Sequence, residues 1–255
     1  EHGLSLHILL DDGRQVLFDM GQRRLFADNA ERLGIRLADV DAAIVSHGHY
    51  DHGGGLRAFL ELNDKAKVYV HRHAFEPHYS LRESGLRYIG IDHDLATHER
   101  VVLCGDETQI GEDMVLFAGV DGQCLMPIGN RLLFGPRQDV NDDFRHELSL
   151  IIKEKEKTVL FAGCAHSGIV NIIRKGIRVA GRPFTHVFAG MHLVKNGLSE
   201  EGEAAFIHSL AQELTAQAHC HYFTMHCTGT TQYGLLSKEM SETISYMACG
   251  DRVKI

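Results

Sequence analysis

Long apolar segments are missing from this chain of 255 residues. No run approaches the ~18 apolar residues that a membrane-spanning helix requires. The first residues, Glu1 to Leu4, do not pair a basic segment with an apolar stretch, as a secretory signal would. These absences predict a protein without a membrane partner, and we expect it in the cytoplasm.

The sequence also lacks an excess of basic residues. Its 26 Lys and Arg residues are outnumbered by 34 Asp and Glu residues, which gives a formal net charge of −8. A protein that binds the nucleic-acid backbone needs a basic surface to contact the phosphates. The charge balance therefore argues against a nucleic-acid partner.

None of the six cysteines forms a CxxC pair, which argues against a zinc ribbon and a thioredoxin-type motif. Their wide spacing, without a signal peptide, indicates reduced thiols. Only four prolines occur, and there is no internal repeat, low-complexity tract or linker. We therefore predict a single domain over residues 1–255.

Histidine is abundant, with 18 residues, and the densest group is the sequence HGHYDH at residues 47–52. It directly follows the apolar run at residues 42–45. Imidazole nitrogens and a carboxylate oxygen are ligands that suit zinc or iron. The spacing lets His47 and His49 face one ion while Asp51 and His52 face a second. The alternative is a solvated histidine-rich loop that holds no ion.

The first part of the chain alternates short strands and helices. Apolar spacing and turn residues predict strands at 4–10, 15–18, 42–46 and 67–70, and helices at 25–33 and 56–62. Residues 71–100 are polar, rich in histidine and without a clear period, which predicts an irregular, lid-like insertion. Its histidines fit no single strand end, and we do not expect them to bind the main metal site.

In the second part, three predicted strands each precede a histidine. They cover residues 158–161, 186–189 and 221–224, and they are followed by His166, His192 and His226. The carboxyl ends of strands in an α/β sheet are the usual place for a ligand site. We therefore expect these histidines at one functional edge.

Several motifs together resemble those of one protein family. They are LFDMG at 17–21, SHGHYDHGG at 46–54, GCAHSGIVN at 163–171, GMHL at 190–193 and HCTG at 226–229. The chain is similar to the metallo-β-lactamase superfamily, in the branch of 7,8-dihydropterin-6-methyl-4-(β-D-ribofuranosyl)aminobenzene-5′-phosphate synthase. The resemblance implies an α/β fold, an αββα sandwich of two mixed sheets with helices on the outer faces. Members usually begin with a further strand, which we expect to be missing here.

The resemblance also implies two divalent metal ions with a water or hydroxide between them. His47, His49 and a third histidine would bind the first ion, while Asp51, His52 and His226 would bind the second. Asp51 would also serve as the catalytic carboxylate. The third ligand of the first ion is open among His166, Cys164 and His146, and the family-like GCAHSG string favours His166.

Zinc is the expected metal, because a nearby thiolate favours it, while ligands with only nitrogen and oxygen atoms leave iron and manganese open. His192 is either a substrate contact, an outer-shell donor to a ligand or a structural residue at a strand end. Ser167-Gly168 and Thr228-Gly229 open predicted helices, where free backbone amides can hold a phosphate group. We expect ordinary N-capping by Ser167 and Thr228, which alone would account for these residues, with phosphate binding as an additional role.

The leading hypothesis is a metal-dependent enzyme whose resemblance implies pterinylmethyl transfer with loss of diphosphate. The first alternative is hydrolysis of an ester, lactone, thioester or phosphodiester, because metal ligands do not specify the electrophile. The second is a protein that binds metal or ligand without catalysis. The expected partner is a small-molecule substrate, with phosphate groups in the leading hypothesis, and the sequence leaves the oligomeric state undetermined.

Overall fold

A computed structural model describes residues 1–194, 197–217 and 219–255. Its strands and helices divide between two compact units. The first unit comprises residues 1–108 and 132–148, and the second comprises residues 109–131 and 149–255. Each unit is therefore described by itself.

The first unit contains a five-stranded mixed sheet in the order β1-β2-β3-β4-β7. Its strands are β1 (Leu6–Leu9), β2 (Gln15–Phe18), β3 (Ala42–Val45), β4 (Lys67–His71) and β7 (Val101–Cys104). Strand β1 is antiparallel to β2, and β2, β3, β4 and β7 run parallel. All four residues of β3 are buried, as expected for a strand covered on both faces.

Three helices belong to the first unit: α1 (Leu25–Arg32), α2 (Tyr50–Gly53) and α3 (Leu56–Leu62). Helix α1 ends as the sequence predicts, because Gly34 follows it with a φ of +75°. Phe26, Leu56 and Phe59 pack into one apolar cluster with the sheet residues Ala43 and Val45. This cluster is the core of the first unit.

Residues 71–100 contain a β-hairpin where the sequence predicts irregular backbone. Strands β5 (Tyr79–Arg82) and β6 (Gly85–Tyr88) pair antiparallel, and Gly85, the first residue after the turn, has a φ of +103°. Both faces of the hairpin carry polar residues, so no alternation marks it in the sequence. Strand β10 (Leu133–Phe134) pairs with β5 and completes a three-stranded sheet.

The second unit contains a seven-stranded sheet in the order β15-β14-β13-β12-β11-β9-β8. Its strands are β8 (Glu107–Ile110), β9 (Met114–Phe117), β11 (Ser149–Glu154), β12 (Lys157–Ala162), β13 (His186–Ala189), β14 (His221–Thr224) and β15 (Ile244–Tyr246). Strands β12 to β15 run parallel, and β11 is antiparallel to β9 and β12.

Three helices cover this second sheet: α4 (Ile169–Ala180), α5 (Glu200–Thr215) and α6 (Thr230–Met240). Ile173 of α4, Leu210 of α5 and Leu236 of α6 are buried in one cluster with the sheet residues Leu160 and Val187. Among the described residues, no helix has both the length and the apolar character needed to cross a membrane.

Candidate functional site

In the first unit, the HGHYDH sequence forms the turn from β3 into α2. Backbone hydrogen bonds hold this turn in place: Leu4 N–H donates to the Asp51 carbonyl at 3.1 Å, and Met20 N–H donates to the His52 carbonyl at 2.7 Å. Helix α2 begins directly after His49, whose backbone is extended. The turn therefore presents its side chains from a fixed backbone.

Asp19, at the end of β2, is the buried centre of this turn. Its carboxylate accepts hydrogen bonds from Ser46 N–H at 2.7 Å, from Ser46 Oγ at 2.8 Å and from His52 Nδ1 at 2.6 Å. The side chain is fully buried, and the backbone φ of +64° is unusual for a residue other than glycine. Such strain is maintained where the surrounding structure demands it.

The Asp19 network determines which ring nitrogens of two histidines carry protons. Since Ser46 Oγ–H donates to Asp19, the serine oxygen accepts a hydrogen bond from His47 Nδ1 at 2.9 Å. His52 Nδ1 donates directly to Asp19. Both imidazoles then keep their lone pairs on Nε2, which is the form that binds a metal.

The remaining ligand-type side chains lie close to these two rings. The His47 ring centroid lies 4.6 Å from that of His49 and 4.1 Å from that of His52. Asp51 Oδ2 lies 3.9 Å from His52 Nε2. Two zinc bonds of about 2.0–2.2 Å can span this separation. The donor set of the turn therefore fits a divalent metal.

His146 uses both ring nitrogens inside the first unit. Its Nδ1 accepts a hydrogen bond from Gly48 N–H at 2.9 Å, and its Nε2 lies 3.3 Å from Asp142 Oδ2. The first bond occupies the lone pair of Nδ1, so the proton is on Nε2 and is donated to Asp142. This geometry leaves His146 without a lone pair for a metal.

Sequence reasoning missed His78 and Asp142, which join His146 in a buried group. His78 Nδ1 donates to Asp142 Oδ2 at 2.9 Å. One ligand atom of each of His49, His78, Asp142 and His146 lies within 4.8 Å of the others. Burial disfavours ionisation of Asp142, but the hydrogen bonds from His146 and His78 outweigh it and lower its pKa. Burial, with the charges of His146 and His78, holds the pKa of His49 well below its ordinary value.

In the second unit, the carboxyl ends of three parallel strands coincide. The registers pair Ala162 with Ala189 and Ala189 with Thr224, which are the last residues of β12, β13 and β14. The residues predicted for the site follow these ends: Cys164 and His166 after β12, His192 after β13, and His226 after β14. The edge is tightly connected, because Gly190 N–H donates to the Gly163 carbonyl at 2.8 Å.

Asn130 orients His166 with two hydrogen bonds. His166 Nδ1 lies 3.0 Å from Asn130 Oδ1, and Asn130 Nδ2 donates to the His166 carbonyl at 2.7 Å. Because the amide oxygen can only accept, the His166 proton is on Nδ1 and the lone pair is on Nε2. His166 thus has the form that can bind a metal, in contrast to His146.

Cys164, His192 and Cys227 form a second group, with one ligand atom of each within 4.8 Å of the others. The His192 backbone N–H donates to Cys227 Sγ at 3.2 Å. Burial disfavours the Cys227 thiolate, but the Cys164 and His192 side chains and the charge of His226 outweigh burial, and the pKa of Cys227 lies well below its ordinary value. The lowered pKa favours the thiolate form of the buried Cys227, and thiolate sulfur is a soft metal ligand.

Three non-glycine residues at the same edge have a left-handed backbone. Ala165, His192 and His226 have φ values of +53°, +46° and +52°. Each lies in a loop that follows a strand of the parallel set, and strained residues of this kind cluster at functional sites. The edge is therefore a candidate functional site by its backbone as well as by its side chains.

The capping prediction is wrong for both helices that open near this edge. Gly168 and Gly229 are the N-cap residues of α4 and α6, and among the described residues no side chain caps either helix. Thr228 Oγ1 instead accepts a hydrogen bond from Met191 N–H at 2.9 Å. The backbone N–H groups in the first turns of α4 and α6 can therefore donate hydrogen bonds to partners other than a capping side chain.

Comparison with known proteins gives consistent results. A model of the metallo-beta-lactamase superfamily matches residues 5–178. An uncharacterized protein of Methanocaldococcus jannaschii is 29% identical over 235 residues, which cover 90% of this chain and 84% of the relative. The 7,8-dihydropterin-6-methyl-4-(beta-D-ribofuranosyl)-aminobenzene-5′-phosphate synthase of the same organism is 25% identical over 274 residues, covering 100% of this chain and 90% of the relative.

A solved structure, described as a metal-dependent hydrolase of the beta-lactamase superfamily, is 29% identical and matches with a TM-score of 0.77. The match covers 100% of this chain and 92% of that chain. The predicted α/β class, with mixed sheets and helices of the metallo-β-lactamase type, is confirmed. Since the superfamily model matches more than half of the sequence, the chain belongs to the metallo-beta-lactamase superfamily.

Proposed function

We propose that this protein is an enzyme that depends on divalent metal ions. The Asp19 network carries the proposal, because it holds His47 and His52 in the protonation state that binds a metal through Nε2. A solvated loop would not require a fully buried carboxylate to fix its histidines. The strained backbone at Asp19 supports the same function.

The metal ligands that we propose from the resemblance are His47, His49, Asp51 and His52 in the first unit, and His166 and His226 in the second unit. Two divalent ions are expected in total, with zinc as the expected metal. The protonation of His166, fixed by Asn130, favours His166 over His146 as a ligand. Cys164 stays a candidate for an additional thiolate ligand.

The reaction that we propose first is transfer with loss of diphosphate, as in the synthase-named relative, on a phosphorylated small molecule. Bound ions would supply Lewis acidity toward the phosphate oxygens. The uncapped amides at the starts of α4 and α6 suit an anionic substrate group. Asp51 would place its own carboxylate beside the reacting group. It would act next to His52, whose ring is fixed by Asp19.

Hydrolysis is the second candidate, because the solved structure with a TM-score of 0.77 is described as a metal-dependent hydrolase. The same ligands can bind and activate water, since a metal lowers the pKa of bound water to about 7. Ester, lactone, thioester and phosphodiester substrates are all compatible with this chemistry.

The experiment measures metal content and two activities on parent, Asp51→Asn and Asp94→Asn proteins. Asp94 has a highly exposed side chain and serves as the matched control. We expect about two zinc ions per parent chain and diphosphate release when a pterinylmethyl diphosphate and an aminobenzene ribofuranosyl phosphate are supplied together. Asp51→Asn should lose about one zinc ion and the activity. The second activity is hydrolysis of a panel of generic ester and phosphodiester substrates. Equal diphosphate release by all three proteins would refute the proposed transfer, and activity on this panel alone would select hydrolysis.

Dialysis against a chelator tests the metal dependence itself. Removing ions that bind only the folded chain should lower Tm and abolish activity, and added zinc should restore both. Unchanged activity after complete metal removal, verified by elemental analysis, would contradict the proposal.

A further inference from the structure

Three buried titratable side chains form a hydrogen-bonded network beneath the metal-binding turn. Asp142 Oδ2 accepts from His78 Nδ1 at 2.9 Å and from His146 Nε2 at 3.3 Å. The exposed fraction is 1% for His78 and His146 and 3% for the Asp142 side chain. A buried ionic group of this kind costs desolvation energy that an apolar core would avoid, so packing alone does not account for it.

The network contacts the turn at Gly48, between two proposed ligands. Gly48 N–H donates to His146 Nδ1 at 2.9 Å. A Cβ atom at Gly48 would lie 2.5 Å from His78 Nε2 and 2.4 Å from the Ala74 carbonyl oxygen, so the backbone packs directly on the network. The His49 ring centroid lies 5.6 Å from that of His146 and 5.8 Å from that of His78.

The network is poorly suited to hold an ion by itself. Both nitrogens of His146 have hydrogen-bond partners, and His78 Nε2 faces the Gly48 backbone. An ion there would have to break the hydrogen bonds that Asp142 accepts. The position of the network beside the turn instead resembles that of the carboxylate–histidine groups that orient metal ligands.

We infer that His78, Asp142 and His146 act as positioning residues for metal binding: they fix the backbone of Gly48 and thereby the directions of the His47 and His49 rings. This inference rests on the proposed metal-dependent function. Asp142 is the centre of the network, because it accepts a hydrogen bond from each imidazole. Its bond from His146 Nε2 keeps the proton on that nitrogen, so that His146 Nδ1 offers its lone pair to the Gly48 N–H. Loss of outer-shell partners typically weakens metal affinity 10–100-fold.

The test compares two substitutions of His78 that differ in one hydrogen bond. His78→Asn keeps an N–H donor at the δ position and can still reach Asp142, whereas His78→Gln moves its amide beyond that position. Zinc affinity is measured by competition with a chromophoric chelator, and the visible spectrum of the cobalt-loaded protein reports ligand geometry. Asp142→Asn removes the shared carboxylate charge, while the exposed neighbour Asp143 supplies the control Asp143→Asn.

We expect zinc affinity to fall about 10–100-fold in His78→Gln and Asp142→Asn, with a changed cobalt spectrum, and to stay near the parent value in His78→Asn and Asp143→Asn. Unfolding of the metal-free proteins shows whether each variant still folds. Folded His78→Gln and Asp142→Asn proteins with parental zinc affinity and cobalt spectra would overturn the inference. Failure of the proposed function looks different, because the parent itself would then bind no metal.

Discussion

At the scale of single residues, Asp19 shows how one carboxylate can orient two imidazole rings. It accepts a hydrogen bond directly from His52 and another from Ser46, whose hydroxyl oxygen in turn accepts one from His47. A hydrogen bond at Nδ1 raises the basicity of the other nitrogen and fixes the ring orientation. Both rings are thus oriented by the protein itself, which would reduce the ordering cost of the metal binding that we propose.

Gly48 packs closely against Ala74 and His78. In Gly48→Ala the added Cβ would lie 2.4 Å from the Ala74 carbonyl oxygen and 2.5 Å from His78 Nε2. We expect the free energy of unfolding to fall by about 3 kcal/mol because the buried backbone must shift. Chemical denaturation of the metal-free protein measures it.

Gly234→Ala is the matched control, since nothing lies within 4 Å of a Cβ at that helical position. Alanine is favoured over glycine in a helix, so this control should be stabilised by up to about 1 kcal/mol. Equal stability of the two alanine variants would contradict the packing that we describe at Gly48.

The sequence identifies residues 47–52 because ligand-type side chains are dense there, but it does not reveal the residues that support them. His78 and Asp142 are separated by 64 positions, and only the fold brings them together. Asn130 likewise meets His166 from 36 positions away. An isolated histidine in a polar segment carries no pattern that separates it from a surface residue.

At the scale of elements, Asn63 connects three parts of the first unit. Its Nδ2 donates to the Leu37 and Val40 carbonyls, each at 2.9 Å, and its Oδ1 accepts from Ala66 N–H at 2.7 Å. The side chain is 1% exposed. It therefore ties the end of α3 to the loop before β3 and to the start of β4.

We predict that Asn63→Ala lowers the free energy of unfolding by about 3 kcal/mol, because buried backbone groups would lose their partners. Urea denaturation measures the loss. Asp64→Ala, at the exposed neighbouring position, is the control and should stay within about 0.5 kcal/mol of the parent. A loss of similar size in both variants would refute this specific role of Asn63.

The predicted strands and helices agree with the structure where the sequence shows a run of buried apolar residues or a glycine that ends a helix. Strand β3 is a continuous apolar run, and α1 stops before Gly34. The hairpin of β5 and β6 leaves no such pattern, because Arg82, Leu86 and Arg87 are all exposed. A strand with solvent on most of its side chains lacks the alternation on which prediction depends.

At the scale of the whole molecule, buried histidines make stability depend on pH. Burial, with the charge of His73, lowers the pKa of His71 from 6.5 to about 4. The unfolded chain therefore binds more protons than the folded chain between these values, so stability is complete above about pH 6.5 and falls as the pH decreases toward 4. Burial lowers the pKa values of His49 and His146 as well, with the same sign.

We predict that the free energy of unfolding of His71→Gln depends less on pH between 4 and 6.5 than that of the parent. The difference in slope corresponds to up to one proton fewer taken up on unfolding. Denaturation at several pH values, with a chelator present so that metal release does not contribute, measures the slope. His93→Gln is the control, because the His93 side chain is 76% exposed. A slope in His71→Gln equal to that of the parent and the control would show the prediction to be wrong.

The first unit is assembled from two separate stretches of chain, residues 1–108 and 132–148. The HGHYDH turn at residues 47–52 is in the first stretch, while Asp142 and His146 are in the second. During synthesis the turn and Asp19 therefore leave the ribosome well before Asp142 and His146, to which we assign the positioning of the Gly48 backbone. We expect the nascent chain to be unable to hold the turn in its final form, so that metal capture is a late event in the biosynthesis of this protein.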